Sequence, residues 1–301
     1  GWYNYARRYC KAYKGRFGWD LSGADNLDEL NEKLRATCYI RRRKQDVLRE
    51  LPDKIITRHY VELSNIDEYN YAEAELIEYL KKEAIKDREF LESIAHLPQD
   101  EQIVAKAERM KSKEEKIRRA EHLVRIEALK QVVARGKLDG VYEFVDNVLE
   151  EGDKIVIFAN HKAIIEDIAA RYNCKQITGD TSIDDRQRAV EDFQSNDNTK
   201  VIVLNIKAGG VGLTLTAASK VAFVELGWTP AEHQQAEDRI HRIGQKNVAN
   251  VYYFLSEGTI DDYIYGLLET KRSVVNAATE GELEAERTSI MTELINILIN
   301  K

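Results

Sequence analysis

The chain has 301 residues, 43% hydrophobic and 32% charged, with a net charge of −7. That length supplies one large or two ordinary domains with a real core. The acidic balance gives no whole-domain sign of nucleic-acid binding, although a local stripe of Arg and Lys can dock on phosphates while the rest stays acidic.

In chain order, residues 1–63 form an N-terminal helical and linker segment that opens on "GWYNYARRYCKAY" without an initiator Met, as a piece of a longer protein would. "NLDELNEKLRATC" predicts a helix with Asn26 as N-cap and Glu29 closing a capping box. A basic run, "YIRRRKQDVLRELPDK", follows, and "IITRHYVEL" alternates as a strand. Residues 64–136, dense in Ala, Glu, Lys and Leu, predict two long helices, one capped by Ser64 and one over 99–135. They meet near Pro98 as a helical hairpin insertion.

Residues 137–275 alternate short β-rich runs with helical ones. The strands are "KIVIFA", "CKQIT", "KVIVLN", "KVAFVEL" and "VANVYYFL". Between them lie "KAIIEDIAARY", "SIDDRQRAVEDFQ" and "PAEHQQAEDRIHRI". This rhythm predicts a parallel sheet with helices on both faces. Residues 276–301 read as a linker and an amphipathic helical tail. No stretch approaches the roughly 20 apolar residues of a membrane span, and the start does not look like a signal peptide. Cys10, Cys38 and Cys174 are widely spaced, fitting a reduced intracellular compartment.

Ligands of open α/β sheets collect at the C-terminal ends of strands, where the motifs are expected. Asn160, His161 and Lys162 open a helix whose positive end suits a phosphate, or Asn160 simply caps it. Gly179 allows a tight exit from the next strand, and Ser182 with Asp185 forms a capping box. Asp180 and Arg186 read either as site residues or as a surface ion pair. After "VIVLN", Lys207 precedes Gly209, Gly210 and Gly212, a loop whose backbone N–H groups can nest an anion. Finally, Pro230 and Gly244 bracket a helix over 230–243 that sets Gln235, Arg239 and Arg242 on one face. Guanidiniums at fixed separation match phosphate oxygens; the alternative is that they satisfy the helix C-terminus.

The string "QAEDRIHRIGQ" (235–245), with "KIVIFANH", "GDTSIDDRQRAVEDF" and "NIKAGGVGLTL", resembles the C-terminal motor lobe of SWI/SNF-type ATPases in helicase superfamily 2. "FGWDLSGADNL" is similar to the small annealing-helicase branch. The resemblance implies a RecA-like lobe of an ATP-driven translocase on double-stranded or branched DNA. It implies arginine fingers at Arg239 and Arg242 with Gln235 fixing them, and nucleotide contacts at Gly210, Gly212 and Asp238. DNA contacts would fall to His161, Lys162, Gly179, Asn205, Lys207 and Gly209. ATP and Mg²⁺ would be held mainly by an N-terminal ATPase lobe of the same polypeptide, because this chain contains no G-x-x-x-x-G-K-[ST] loop and no strand-terminal D-E-x-H. Alone, it is expected to be inactive. The compartment would be cytoplasmic in a bacterium or phage and nuclear in a eukaryote. The alternative is a non-catalytic nucleic-acid or protein-binding module that keeps the fold. A metal enzyme is excluded, since His and acidic residues show no ligand spacing.

Overall fold

The computed structural model describes residues 1–15, 18–20, 25–37, 48, 50–208, 212–278 and 283–301. The chain divides into two compact units. The first comprises residues 1–41, 70–129 and 270–301, and the second 42–69 and 130–269.

The second unit is built on a six-stranded, all-parallel sheet. Its strands are β3 (Lys54–Tyr60), β4 (Ile155–Ala159), β5 (Lys175–Ile177), β6 (Val201–Asn205), β7 (Lys220–Phe223) and β8 (Ala249–Leu255), in the order β3-β8-β7-β4-β6-β5. Strand β4 is buried at every position, which explains why its sequence is a continuous apolar run. Its alternate residues serve two faces. Ile155, Ile157 and Ala159 pack with Val201, Val203 and Phe254 against Val141, Val145, Ile164, Ile165 and Ile168. Those partners lie on helices α6 (Leu138–Glu150) and α7 (Lys162–Tyr172). On the other face Phe158, Phe223 and Tyr253 stack with centroids 5.2 and 4.7 Å apart. Helix α9 (Pro230–Glu237) adds His233 to that stack, 5.1 Å from Phe223. Helix α8 (Ile183–Ser195) lies between β5 and β6 in the chain. The RecA-like sheet expected from the sequence is present, and it also takes up β3 from the segment read as a linker.

The first unit contains α1 (Trp2–Tyr9), a hairpin of β1 (Tyr13–Gly15) and β2 (Gly18–Asp20), and α2 (Leu27–Thr37). It also holds most of α3 (Ile66–Ser93), all of α4 (Gln99–Lys111) and most of α5 (Lys113–Gly136). The end of α10 (Ile260–Ala278) and α11 (Leu283–Asn300) complete it. The single helix expected over 99–135 is two. Ser112 is extended at ψ 154°, and its hydroxyl accepts from Glu115 N at 3.1 Å, so a side-chain cap restarts the helix. The expected Asn26–Glu29 capping box does not form. The Asn26 amide donates to Arg8 O, while Glu29 is bound by Arg8, Lys33 and Tyr9. In the tail, Ile290, Leu294 and Leu298 are fully buried at helical spacing. The basic run over 39–47, Cys38, Gly209 and Gly210 lie outside the described residues. Among the described residues no helix is long and apolar enough to cross a membrane.

Candidate functional site

The turn after β4 is organised by a residue that sequence reading passed over. Glu225, 2% exposed, accepts backbone N–H groups from Asn160 and His161, each at 2.8 Å. A second oxygen of the same carboxylate meets His161 Nδ1. His161, not Asn160, is the N-cap of α7, and it makes no side-chain cap. Two N–H groups expected to suit a phosphate are therefore already used by an internal carboxylate. Burial alone would raise the Glu225 pKa, but the His161 ring, its backbone N–H and the charge of Lys130 hold it below the usual carboxylate range. Lys130, 3% exposed, lies 4.5 Å over the Trp228 ring.

Lys162 is exposed, with Asp180 and Glu166 carboxylates 3.8 and 3.9 Å away. The Asp180–Arg186 ion pair considered from sequence is not what Arg186 does. Its guanidinium donates to the carbonyls of Thr181, Thr178 and Gly179, clamping that turn from α8. Ser182 caps α8 as expected, accepting from Asp185 N. Lys162, Lys175 and Arg188 share a cleft of about 940 Å³ with Asp180, Asp185 and Asp192, a lining of mixed sign.

Asn205 closes β6 with both ends of its amide engaged. Nδ2 donates to Asn160 O at 2.7 Å, and Oδ1 accepts from Lys207 N at 3.0 Å. Its polar atoms tie the β6 exit to the 160 turn. Lys207 is exposed, and Gly212 adopts φ +46°, a backbone that favours glycine.

The string 235–245 departs from the single helix expected. Helix α9 starts at Pro230 as read, and Thr229 and Glu232 form a capping box across that start. It ends at Glu237, with Asp238 as C-cap. The cause is tertiary. In a longer α-helix the Arg239 carbonyl would accept from residue 243, but it accepts from Leu215 N at 2.9 Å instead. Glu237, buried, is bound by Lys54 at 2.5 Å and by Tyr253 Oη at 2.7 Å. The His241 ring bonds Pro52 O at 2.8 Å, and Gln245 Nε2 donates to Ala218 O at 2.7 Å. Half of the string is thus internal scaffold, anchored beside the first residues of β3, β7 and β8. This corrects the expectation that every motif sits at the C-terminal strand ends.

The other half faces outward. Gln235, Arg242, Ile243 and Gly244 are exposed, and Asp238 and Arg239 are half-buried. Arg242 Nη1 lies 3.3 Å from Thr214 Oγ1 and 3.5 Å from the carbonyls of Gly212 and Leu213. No carboxylate forms a salt bridge with Arg242 among the described residues. The Arg239 pKa is lowered first by burial and then by the charge of Arg242, with Asp238 opposing. The charge of Arg242 thus bears on Arg239, and because α9 ends at Glu237 the two do not share a helix face. Between the two regions runs the segment 206–214. It is tethered at its start by Asn205 to the 160 turn and at its end by Leu215 to Arg239.

Residues 136–244 match the helicase conserved C-terminal domain. The SWI/SNF-related matrix-associated actin-dependent regulator of chromatin subfamily A-like protein 1 of Xenopus laevis is 33% identical over 297 residues, 97% of this chain. The DNA annealing helicase and endonuclease ZRANB3 of Homo sapiens is 33% identical over 94% of it. The chain is a C-terminal lobe of a SWI/SNF-type superfamily 2 helicase. It spans 28% and 24% of the length of those two relatives. Among solved structures, the Sulfolobus solfataricus SWI2/SNF2 ATPase core domain matches with TM-score 0.57 and 27% identity, over 89% of this chain and 54% of that one. The same core in complex with dsDNA gives 0.55 and 25%, over 91% and 57%. The SWI/SNF-type lobe accounts for the parallel sheet. Glu225, Lys130 and the Lys54–Glu237–Tyr253 cluster were not singled out from sequence. The signal available was a carboxylate standing alone in the apolar run "VAFVELGW".

Proposed function

We propose that this lobe is the second half of an ATP-dependent motor on double-stranded DNA, supplying arginines to a nucleotide held mainly by the other lobe. The observation that carries the reading is the Arg239–Arg242 pair. Both carry positive charge on one short stretch, Arg242 exposed and Arg239 half-buried with Asp238 opposing, and an arriving polyanion lowers the cost of their mutual repulsion. ATP brings the phosphoryl-transfer chemistry, and Mg²⁺ belongs with the other lobe in this reading. Arg239 and Arg242 stabilise charge developing on the transferring group, while exposed Gln235 and Ile243 face the lobe contact. Asp238 tempers the field at Arg239, and Gly210 and Gly212 let the loop backbone approach the nucleotide.

DNA is met on the opposite strand ends, by His161, Lys162, Lys207 and the backbone near Gly179 and Gly209. Such phosphate contacts carry no base sequence and weaken with salt. Asn205 acts there as a tether. Relatives named for DNA annealing and for a dsDNA complex support the substrate class. In a eukaryotic source the compartment is the nucleus.

The test is ATP turnover by the purified 301-residue chain with duplex DNA present. No turnover above background is expected, and robust DNA-stimulated hydrolysis would overturn the division of labour between lobes.

A further inference from the structure

Glu225 has no role in the reading above, yet it is the most thoroughly engaged buried carboxylate near the proposed DNA face. Helix capping alone would account for the two backbone N–H bonds, and a neutral side chain could provide those. The third contact is different in kind. An ionised carboxylate only accepts, so the hydrogen on this side of the His161 ring sits on Nδ1. That bond fixes both the tautomer and the ring plane, leaving Nε2 as the atom for an outside partner. The His161 side chain keeps 18% of its surface exposed while Glu225 keeps 2%. The arrangement is a buried orienter behind a partly exposed imidazole.

Burying a carboxylate is costly unless charge and hydrogen bonds compensate. Compensation comes from the end of α5 and the turn after it. Lys130, near the end of α5, adds its positive charge to Glu225 from the interior. Just past the end of α5, at the N-cap of α6, Lys137, fully buried, donates to Val224 O and Phe254 O, each at 2.7 Å, and pairs with Asp261. Val224 is the residue before Glu225, so Lys137, in the turn between α5 and α6, grips the backbone of this segment while Lys130 balances its charge.

We infer that Glu225 is a positioning residue of the DNA face, holding the Asn160–His161 turn and aiming the His161 ring, with Lys130 of α5 as its balancing charge. The inference rests on the reading that His161 meets the DNA backbone. Asn205, bonded to Asn160 O, steadies the same turn from β6.

The test uses this chain, a short blunt duplex and four forms: unchanged, Glu225→Gln, His161→Gln, and both together. Glu225→Gln keeps the size and an acceptor for the backbone but loses the charge. Each single change is expected to weaken duplex affinity about tenfold, the worth of one charge-assisted hydrogen bond. The double change is expected to be no worse than either single one. The His161 ring signals in NMR, identified by their loss in His161→Gln, are expected to shift in Glu225→Gln. A ring that does not respond to Glu225→Gln, or losses that add in the double variant, would overturn the inference. Ring signals that shift while neither variant alters duplex affinity would leave the positioning in place and overturn the DNA reading of His161. If Glu225→Gln fails to fold, Glu225→Asp draws the charge back by one methylene, and the same ring shift and affinity loss are expected.

Discussion

Two segments of the lobe hold their basic side chains in opposite ways. At the C-terminal end of β4, His161 is bonded to a buried carboxylate that also takes two backbone N–H groups. Beside the N-terminal ends of β3, β7 and β8, the nearest buried carboxylate, Glu237, is consumed by Lys54 and Tyr253. Arg242 is left resting on the carbonyls of Gly212 and Leu213, and its charge bears on Arg239. The imidazole is held from within by a carboxylate; Arg242 forms no salt bridge with a carboxylate among the described residues. Because all six strands are parallel, the two segments lie at opposite ends of the sheet, roughly 16 Å apart for five-residue strands. The segment 206–214 connects them, tethered at both ends.

The sharpest way to break this contrast is to remove a guanidinium in the intact two-lobe protein. Arg239→Ala and Arg242→Ala are each expected to lower ATP turnover by about 10³ or more, as for arginine fingers in related NTPases. Steady-state phosphate release checks this, and retention of more than a tenth of the turnover would count against either finger.

Next in size is the internal side of the contrast. Lys137→Ala leaves Asp261 buried without its ammonium and is expected to cost about 3–5 kcal/mol, read by chemical denaturation. A loss under about 1 kcal/mol would mean the Lys137 anchor contributes little. Acid probes Glu225 itself. Its folded pKa is depressed below the unfolded value of about 4.3. It therefore adds stability above that pH, and the contribution disappears as pH falls through the folded value. The thermal midpoint should drop more steeply below about pH 4 in the unchanged chain than in Glu225→Gln; identical slopes would contradict the assignment. The smallest effect is at the α9 start, where Thr229→Ala removes one half of the capping box. It is expected to cost about 1 kcal/mol of stability and leave Arg239 in place, because Leu215 still fixes its carbonyl.

The sheet was legible because parallel strands buried on both faces leave unbroken apolar runs, of which β4 and β6 are the clearest. Pro230 and Ser182 announced their helix starts through local chemistry, which needs no tertiary information; Thr229, the cap before Pro230, was passed over. The end of α9 was not legible. Leu215, Pro52 and Ala218 compete for the groups a helix would use, and nothing near 238–243 in sequence encodes those distant partners. The same reason hides the break at Ser112 less completely, since a serine three residues before Glu115 is itself a capping signature. For the site, residue types were readable and their commitments were not. Asn205 and His161 look like free polar groups until the structure supplies Asn160 and Glu225 as partners.

In the proposed motor the Arg239–Arg242 pair addresses a nucleotide rather than DNA. The most direct test of this is duplex affinity of the intact protein carrying Arg242→Ala, measured on the sample used for turnover. The account predicts affinity within about threefold of the unchanged protein, below the roughly 1 kcal/mol that one lost phosphate contact would cost. A tenfold or greater loss of affinity, matching the loss of turnover, would contradict it.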